Sequence, residues 1–126
     1  MYIYKVVLDR VVDGDTMDLW IDLGFDAWIL ERVRLLGVDT PEVYGPNASE
    51  AGKESSAFVK RWFADRSSGG VLVYTSEKYK STDKYGRSLG TISWYPSIEK
   101  LDQIEENSIN ESLNVVLLDN GLAQSY

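Results

Sequence analysis

One amphipathic helical stretch, led into by Pro46 and Asn47 and striped from Ala51 to Phe63, interrupts runs that otherwise alternate like β-strands, and its position constrains the fold more than any other feature. Ahead of it, residues 3–12, 17–23 and 28–38 read as three strands. The second is the clearest: Met17, Leu19, Ile21 and Leu23 fall on one face, and Asp18, Trp20 and Asp22 on the other. Asp13-Gly14 and Gly24-Phe25-Asp26 supply turn chemistry between them, so the first 38 residues read as an antiparallel meander. In the helix, Ala51, Ser55, Phe58 and Trp62 recur at helical spacing, widened by Ala57, Val59 and Phe63. Lys53, Glu54, Lys60 and Arg61 take the outer face.

Ser67-Ser68-Gly69-Gly70 stops the helix, and residues 71–75 and 88–95 give two further strands joined by a charged turn from Thr82 to Arg87. Residues 96–107 are polar and acidic and predict a loop. Ser108-Ile109-Asn110-Glu111 has the pattern of a capping box, and Leu113, Val116, Leu117 and Asn120 continue a second helix that Gly121 closes. Five short strands with a helix between the third and fourth predict an α+β, mainly β, fold. The arrangement is that of a five-stranded Greek-key barrel, the OB-fold, with two helices packed on it in one domain over residues 1–126.

The chain has neither cysteine nor histidine. Disulfides, zinc-thiolate centres, thiol nucleophiles and Ser-His-Asp hydrolysis are therefore excluded, and carboxylates, Lys, Arg, Tyr and Ser/Thr must do any chemistry. No apolar run is long enough for a membrane span. Met1-Tyr2-Ile3-Tyr4-Lys5 runs straight into strand-like sequence, which predicts a cytoplasmic, membrane-free and monomeric protein, with a secreted form left open. The net charge of -7 opposes a polyanionic partner. Its distribution softens that objection: between Ala51 and Arg87 eight cations (Lys53, Lys60, Arg61, Arg66, Lys78, Lys80, Lys84, Arg87) face four anions (Glu54, Asp65, Glu77, Asp83).

The densest chemistry lies in Arg34-Leu35-Leu36-Gly37-Val38-Asp39-Thr40-Pro41-Glu42. Arg34, Leu36 and Val38 alternate as in a strand, and Pro41 ends it, presenting Asp39, Thr40 and Glu42 on a turn. Asp15 and Asp39 each sit where an apolar strand breaks, so a closed barrel brings them together. With the Thr40 carbonyl they make an oxygen-only site suited to calcium, with magnesium or manganese as alternatives. Taken singly, each aspartate is equally well explained as a turn former. Arg34 and Arg87 supply two planar forks matching phosphate oxygens, and Glu42 stands ready to orient or deprotonate water.

Together these segments resemble the staphylococcal nuclease (thermonuclease) family over nearly the whole chain. The resemblance is carried by Asp13-Gly14-Asp15-Thr16, by Arg34 through Glu42, by the helix near Gly52 to Phe58, by Thr82 through Arg87, and by Leu113-Asn114 through Gly121-Leu122-Ala123. It implies a calcium-dependent endonuclease cleaving DNA and RNA to 3′-phosphate ends. Asp15, Asp39 and the Thr40 carbonyl would hold the metal, and Asp13 would be an acid behind them. Glu42 would activate or position water, Arg34 and Arg87 would bind the scissile phosphate, and Lys84 with Tyr85 would contact the adjoining nucleotide. Single-stranded or fraying substrate is expected, because a shallow cleft with an aromatic holds a splayed base.

Three features depart from the secreted enzymes of that family: the sequence stops at Tyr126 soon after the second helix, the loop after Glu42 is shorter, and the balance of charge is acidic. The missing signal-like segment and the compact size resemble intracellular, plasmid- or virus-encoded members more than the secreted form. The competing reading is a nuclease-fold module that has lost catalysis and binds nucleic acid or protein. Such copies are expected to lack metal carboxylates or arginines that are present in this chain.

Overall fold

The computed structural model of the chain describes residues 2–76 and 82–126. Three of the charges counted above, Glu77, Lys78 and Lys80, lie outside the described residues, as does Met1. The strands are β1 (Tyr2–Asp13), β2 (Thr16–Asp22), β3 (Trp28–Leu35), β4 (Val38–Asp39), β5 (Val71–Ser76), β6 (Ser88–Tyr95), β7 (Glu111–Ser112) and β8 (Gln124–Ser125). Helix α1 (Glu50–Asp65) lies between β4 and β5, and α2 (Leu113–Asp119) follows β7.

Five strands close into a mixed barrel. Antiparallel pairing runs β3-β2-β1-β5-β6, and the parallel pairs Val33 with Ser88, Arg34 with Leu89 and Leu35 with Gly90 join the two ends. The predicted OB-type barrel with two helices is the fold observed. Closure depends on β1, which pairs with β5 through Tyr2 to Lys5 and with β2 from Val6 to Asp13. Register shifts at Leu8/Arg10 and Val11/Asp13 bend it, as expected where one strand must turn a barrel corner. Met17, Leu19, Val33, Leu35 and Ile92 fill the interior, and Leu113 and Leu117 of α2 with Val59, Trp62 and Phe63 of α1 cap it. The alternation of β2 holds for Met17, Leu19 and Ile21, whereas Leu23 lies past the strand and is exposed.

Four details correct the sequence reading. The strand expected over residues 28–38 ends at Leu35; Gly37 takes φ +78 in a turn, and Val38–Asp39 is a separate strand paired with β8. The left-handed backbone at Gly37 breaks the ladder before Pro41 can. The capping residue of α2 is Ser112, whose hydroxyl accepts from Val115 N, and Glu111 pairs with Trp94 in β7 instead of closing a capping box with Ser108. The acidic stretch after β6 contains a 3₁₀ turn, Leu101–Gln103. On α1, Ala51 faces solvent and Gly52 takes the inward place.

Both helices are tied to the strands that carry the polar residues. Asn114 of α2 is buried, donates from Nδ2 to Leu36 O at 2.8 Å and accepts from Ile92 N at 3.2 Å, which pins α2 beside the β3/β6 seam. After α2, Gly121 N donates to Leu118 O and Leu122 N to Leu117 O, the Schellman pattern that turns the chain into β8. No helix among the described residues is long and apolar enough to cross a membrane.

Candidate active site

Arg34 sits at the end of β3, where the strand leaves the barrel, and its guanidinium is almost fully buried. Nη1 donates to the carbonyls of Leu35 (2.9 Å) and Val38 (2.6 Å), stabilising the turn between β3 and β4. Nη2 lies 3.3 Å from both Asp15 Oδ2 and Asp39 Oδ1. Two carboxylates 24 residues apart in sequence therefore converge on one nitrogen. The ring of Tyr126 covers the guanidinium, with its centroid 5.3 Å from Cζ.

Asp15 is held from every side. Its Oδ2 accepts from Thr40 N at 2.9 Å, its Oδ1 accepts from Thr16 Oγ1 at 2.9 Å, and its carbonyl accepts from Leu35 N. Burial by itself would raise the Asp15 carboxyl. The hydrogen bonds from Asp13, Thr40 and Thr16 and the charge of Arg34 outweigh it and hold the group below the usual carboxylate range. Asp13 moves the other way, to about 7, chiefly through burial and then through the hydrogen bond and charge of Asp15. The two carboxyls thus part company: Asp15 loses its proton first, and Asp13 only around neutral pH.

Glu42 is placed by α1. Ser49, the capping residue of that helix, donates its N–H to Glu42 O at 3.0 Å and accepts from Gly52 N through its hydroxyl at 3.1 Å. A Cβ at Gly52 would fall 2.0 Å from Glu42 O and 2.9 Å from Pro41 O. Only glycine lets the helix approach this closely, so the backbone under Glu42 rests directly on the first turn of α1.

Arg87 closes a tight turn immediately before β6. Its Nε donates to Asp83 Oδ2 at 2.6 Å, and Nη1 reaches Thr16 Oγ1 at 3.4 Å. Asp83 Oδ1 accepts from Tyr85 N and Arg87 N, both at 2.9 Å. The Tyr85 ring lies 5.3 Å from Arg87 Cζ and 5.1 Å from Lys84 Nζ, within cation–π range of both.

These pieces line one open cavity of about 910 Å³. All nine residues singled out from the sequence border it: Asp13, Asp15, Arg34, Asp39, Thr40, Glu42, Lys84, Tyr85 and Arg87. Sequence reading gave no site role to three other lining residues, Arg32, Tyr44 and Asp83. Asp83 was legible as the first residue of an Asx-type turn, Asp-Lys-Tyr-Gly, but its hold on Arg87 was not. Arg32 is locked by a two-pronged bond to Asp18, directly across the β2/β3 pair.

Five carboxylates and four cations border the cavity, so it is not electropositive by its own side chains. The donor set around Asp15 and Asp39 consists of hard oxygens, which fits a calcium-like cation. Thr40 Oγ1, buried beside that set, has no hydrogen-bond partner. Among the described residues no three acidic, histidine or cysteine side chains gather as a metal cluster, so a cation here would depend on backbone oxygen and water for the rest of its shell.

The family model described as staphylococcal nuclease homologue matches residues 32–126. A thermonuclease of Staphylococcus intermedius is 36% identical over 94% of this chain, and an endonuclease of Bacillus subtilis, YhcR, is 31% identical over 98% of it. The protein ParB of Escherichia coli is 28% identical over 93%. The chain spans 58%, 9% and 54% of those three proteins respectively.

Proposed function

Because the chain belongs to the staphylococcal nuclease homologue family, we propose that it is a calcium-dependent endonuclease hydrolysing the phosphodiester backbone of DNA and RNA. One observation carries the reading: two arginines, a pair of converging carboxylates and a separate, exposed carboxylate all border one cavity. A docking module needs no such combination.

Asp15, Asp39 and the carbonyl of Thr40 would hold the metal. When bound, calcium supplies positive charge to the phosphate and lowers the cost of forming hydroxide. The residues of the chain account for the remaining work. Arg34 and Arg87 both border the cavity, and both would grip non-bridging oxygens of a phosphate where negative charge grows in the transition state. Arg34 must exchange a carboxylate contact for a phosphate contact to do so. Glu42, exposed and clear of those ion pairs, orients the attacking water or takes its proton. Water oxygen bonds to phosphorus as the bond to the 5′ oxygen breaks; that oxygen leaves as a hydroxyl with a proton from solvent, and the phosphate stays on the 3′ end.

Tyr85 and Tyr126 are both largely exposed at the cavity, which supports binding of splayed, single-stranded bases by stacking. The acidic net charge supports weak capture of substrate, with a KM that rises steeply with salt. We further propose that residues 1–126 form a single domain.

The deciding experiment is cleavage of a single-stranded oligonucleotide with calcium, with magnesium and with chelator. Calcium-dependent cleavage to 3′-phosphate ends, lost in Glu42→Ala, supports the proposal. Absence of cleavage with every metal, with nucleic-acid binding retained, would leave the barrel a binding module.

A further inference from the structure

Asp83 has no assigned part in the chemistry, yet it organises one wall of the cavity. Its two carboxylate oxygens do different things. Oδ1 accepts the backbone N–H groups of Tyr85 and Arg87 and so shapes the turn. Oδ2 accepts from Arg87 Nε at 2.6 Å. The backbone repeats the closure, with Asp83 N donating to Arg87 O and Gly86 N to Asp83 O.

The guanidinium is thereby fixed along one edge. Its Nη1 reaches Thr16 Oγ1, and the Thr16 hydroxyl in turn donates to Asp15 Oδ1. Among the described residues Nη2 makes no hydrogen bond. A continuous chain of contacts therefore runs from Asp83 through Arg87 and Thr16 to the buried carboxylate of Asp15. An exposed arginine without such a hold would sample many rotamers, and ordering it on substrate would cost side-chain entropy.

We infer that Asp83 is a positioning residue: its Oδ2 orients Arg87 towards the phosphate through a fixed Nε contact, and it acts in cleavage only through Arg87. This rests on the nuclease reading above. It goes beyond a turn-forming role, because asparagine separates the two functions. Asp83→Asn keeps an oxygen for the backbone N–H groups and places an amide NH₂, a donor, against Arg87 Nε.

The test compares wild type with Asp83→Asn, Arg87→Ala and the double variant. KM and kcat for a single-stranded oligonucleotide in calcium are read separately, and the Arg87 Nε–Hε resonance is followed by ¹⁵N NMR. Asp83→Asn is expected to lower kcat by about 10- to 100-fold, the scale of a small misplacement of a catalytic group, with a smaller change in KM. In the Arg87→Ala background the same substitution should cost nothing more. The Nε–Hε signal should be protected from exchange in wild type and lost in Asp83→Asn, with the Tyr85 and Arg87 amide signals retained. Wild-type kinetics in Asp83→Asn, or losses that multiply in the double variant, would overturn the inference. Should wild type itself not cleave, the nuclease reading fails, and the resonance alone decides whether Asp83 fixes Arg87: an unprotected signal in wild type refutes it.

Discussion

The molecule builds two clusters from the same parts, arginine, carboxylate and aromatic ring, and uses them in opposite ways. At the far end of α1, Arg66 pairs with Glu111 through Nη2, bonds to Trp62 O at 2.9 Å and lies between the rings of Trp62 (4.5 Å) and Trp94 (5.2 Å). Trp62 Nε1 donates to the same glutamate oxygen. These contacts staple the end of α1 to β7. At the cleft, Arg34 and Arg87 also meet carboxylates and rings, but around an open cavity and next to a second, exposed acid, Glu42. Each cluster holds one buried polar atom without a hydrogen bond, Arg66 Nε in the first and Thr40 Oγ1 in the second. The first lies in a guanidinium covered by indole faces; the second lies beside a set of hard oxygens. An ion pair is a staple when its surroundings are rings and backbone, and a site when they are cavity and further charge.

The largest separation between the clusters should come from Arg34→Ala. Losing the proposed phosphate contact should lower the cleavage rate by about 10³-fold. Because Arg34 and Asp15 are both buried, it also strands a carboxylate, at about 3 kcal/mol of unfolding free energy. Arg34→Lys should recover much of that stability but little cleavage, since lysine lacks the planar fork. Cleavage rates and urea midpoints on the same samples separate the two effects.

Gly52→Ala tests whether the cleft depends on the close approach of two backbones. The added Cβ cannot coexist with Glu42 O, so the Glu42 loop must move, and kcat should fall by about 100-fold with α1 still formed by circular dichroism. Next in size is the response to calcium. A hundredfold excess over its dissociation constant should add about 2.7 kcal/mol of stability in wild type, and Asp39→Asn should abolish most of the gain in a thermal melt.

Glu111→Ala is the complement. It should cost about 2 kcal/mol, because a charge-assisted contact to a largely buried arginine is lost, and leave cleavage within twofold of wild type. A cleavage defect as large as that of Arg34→Ala would break the comparison. The smallest effect belongs to Asp18, held below the ordinary carboxylate range by its bond to Arg32. The folded value being the lower one, the pair stabilises above the unfolded carboxylate range and loses its contribution as pH falls through the folded value. Asp18→Asn should therefore cost under about 1 kcal/mol at pH 7 and progressively less as pH falls below the ordinary carboxylate range, read from urea midpoints across that range.

Much of the architecture was legible from local chemistry. β6 spans the predicted residues, β2 shows the predicted alternation through Ile21, and α1 appears where the apolar stripe placed it. These are short-range properties: strand period, turn residues, a helical stripe. The errors fell where tertiary contacts override them. Glu111 left its capping pattern for Arg66 and Trp62, partners 45 and 49 residues away. Residues 36–37 left the strand at the left-handed turn of Gly37, where Asn114, 78 residues away, takes the Leu36 carbonyl.

The site divides the same way. The residue types that could bind phosphate and metal were fixed by the sequence, because absent histidine and cysteine leave carboxylates and arginines. That Asp15 and Asp39 meet at one nitrogen of Arg34, and that Gly52 seats Glu42, were decided only by the tertiary structure. Each of these contacts is set by ångström-scale geometry between chain segments whose spacing no local pattern encodes.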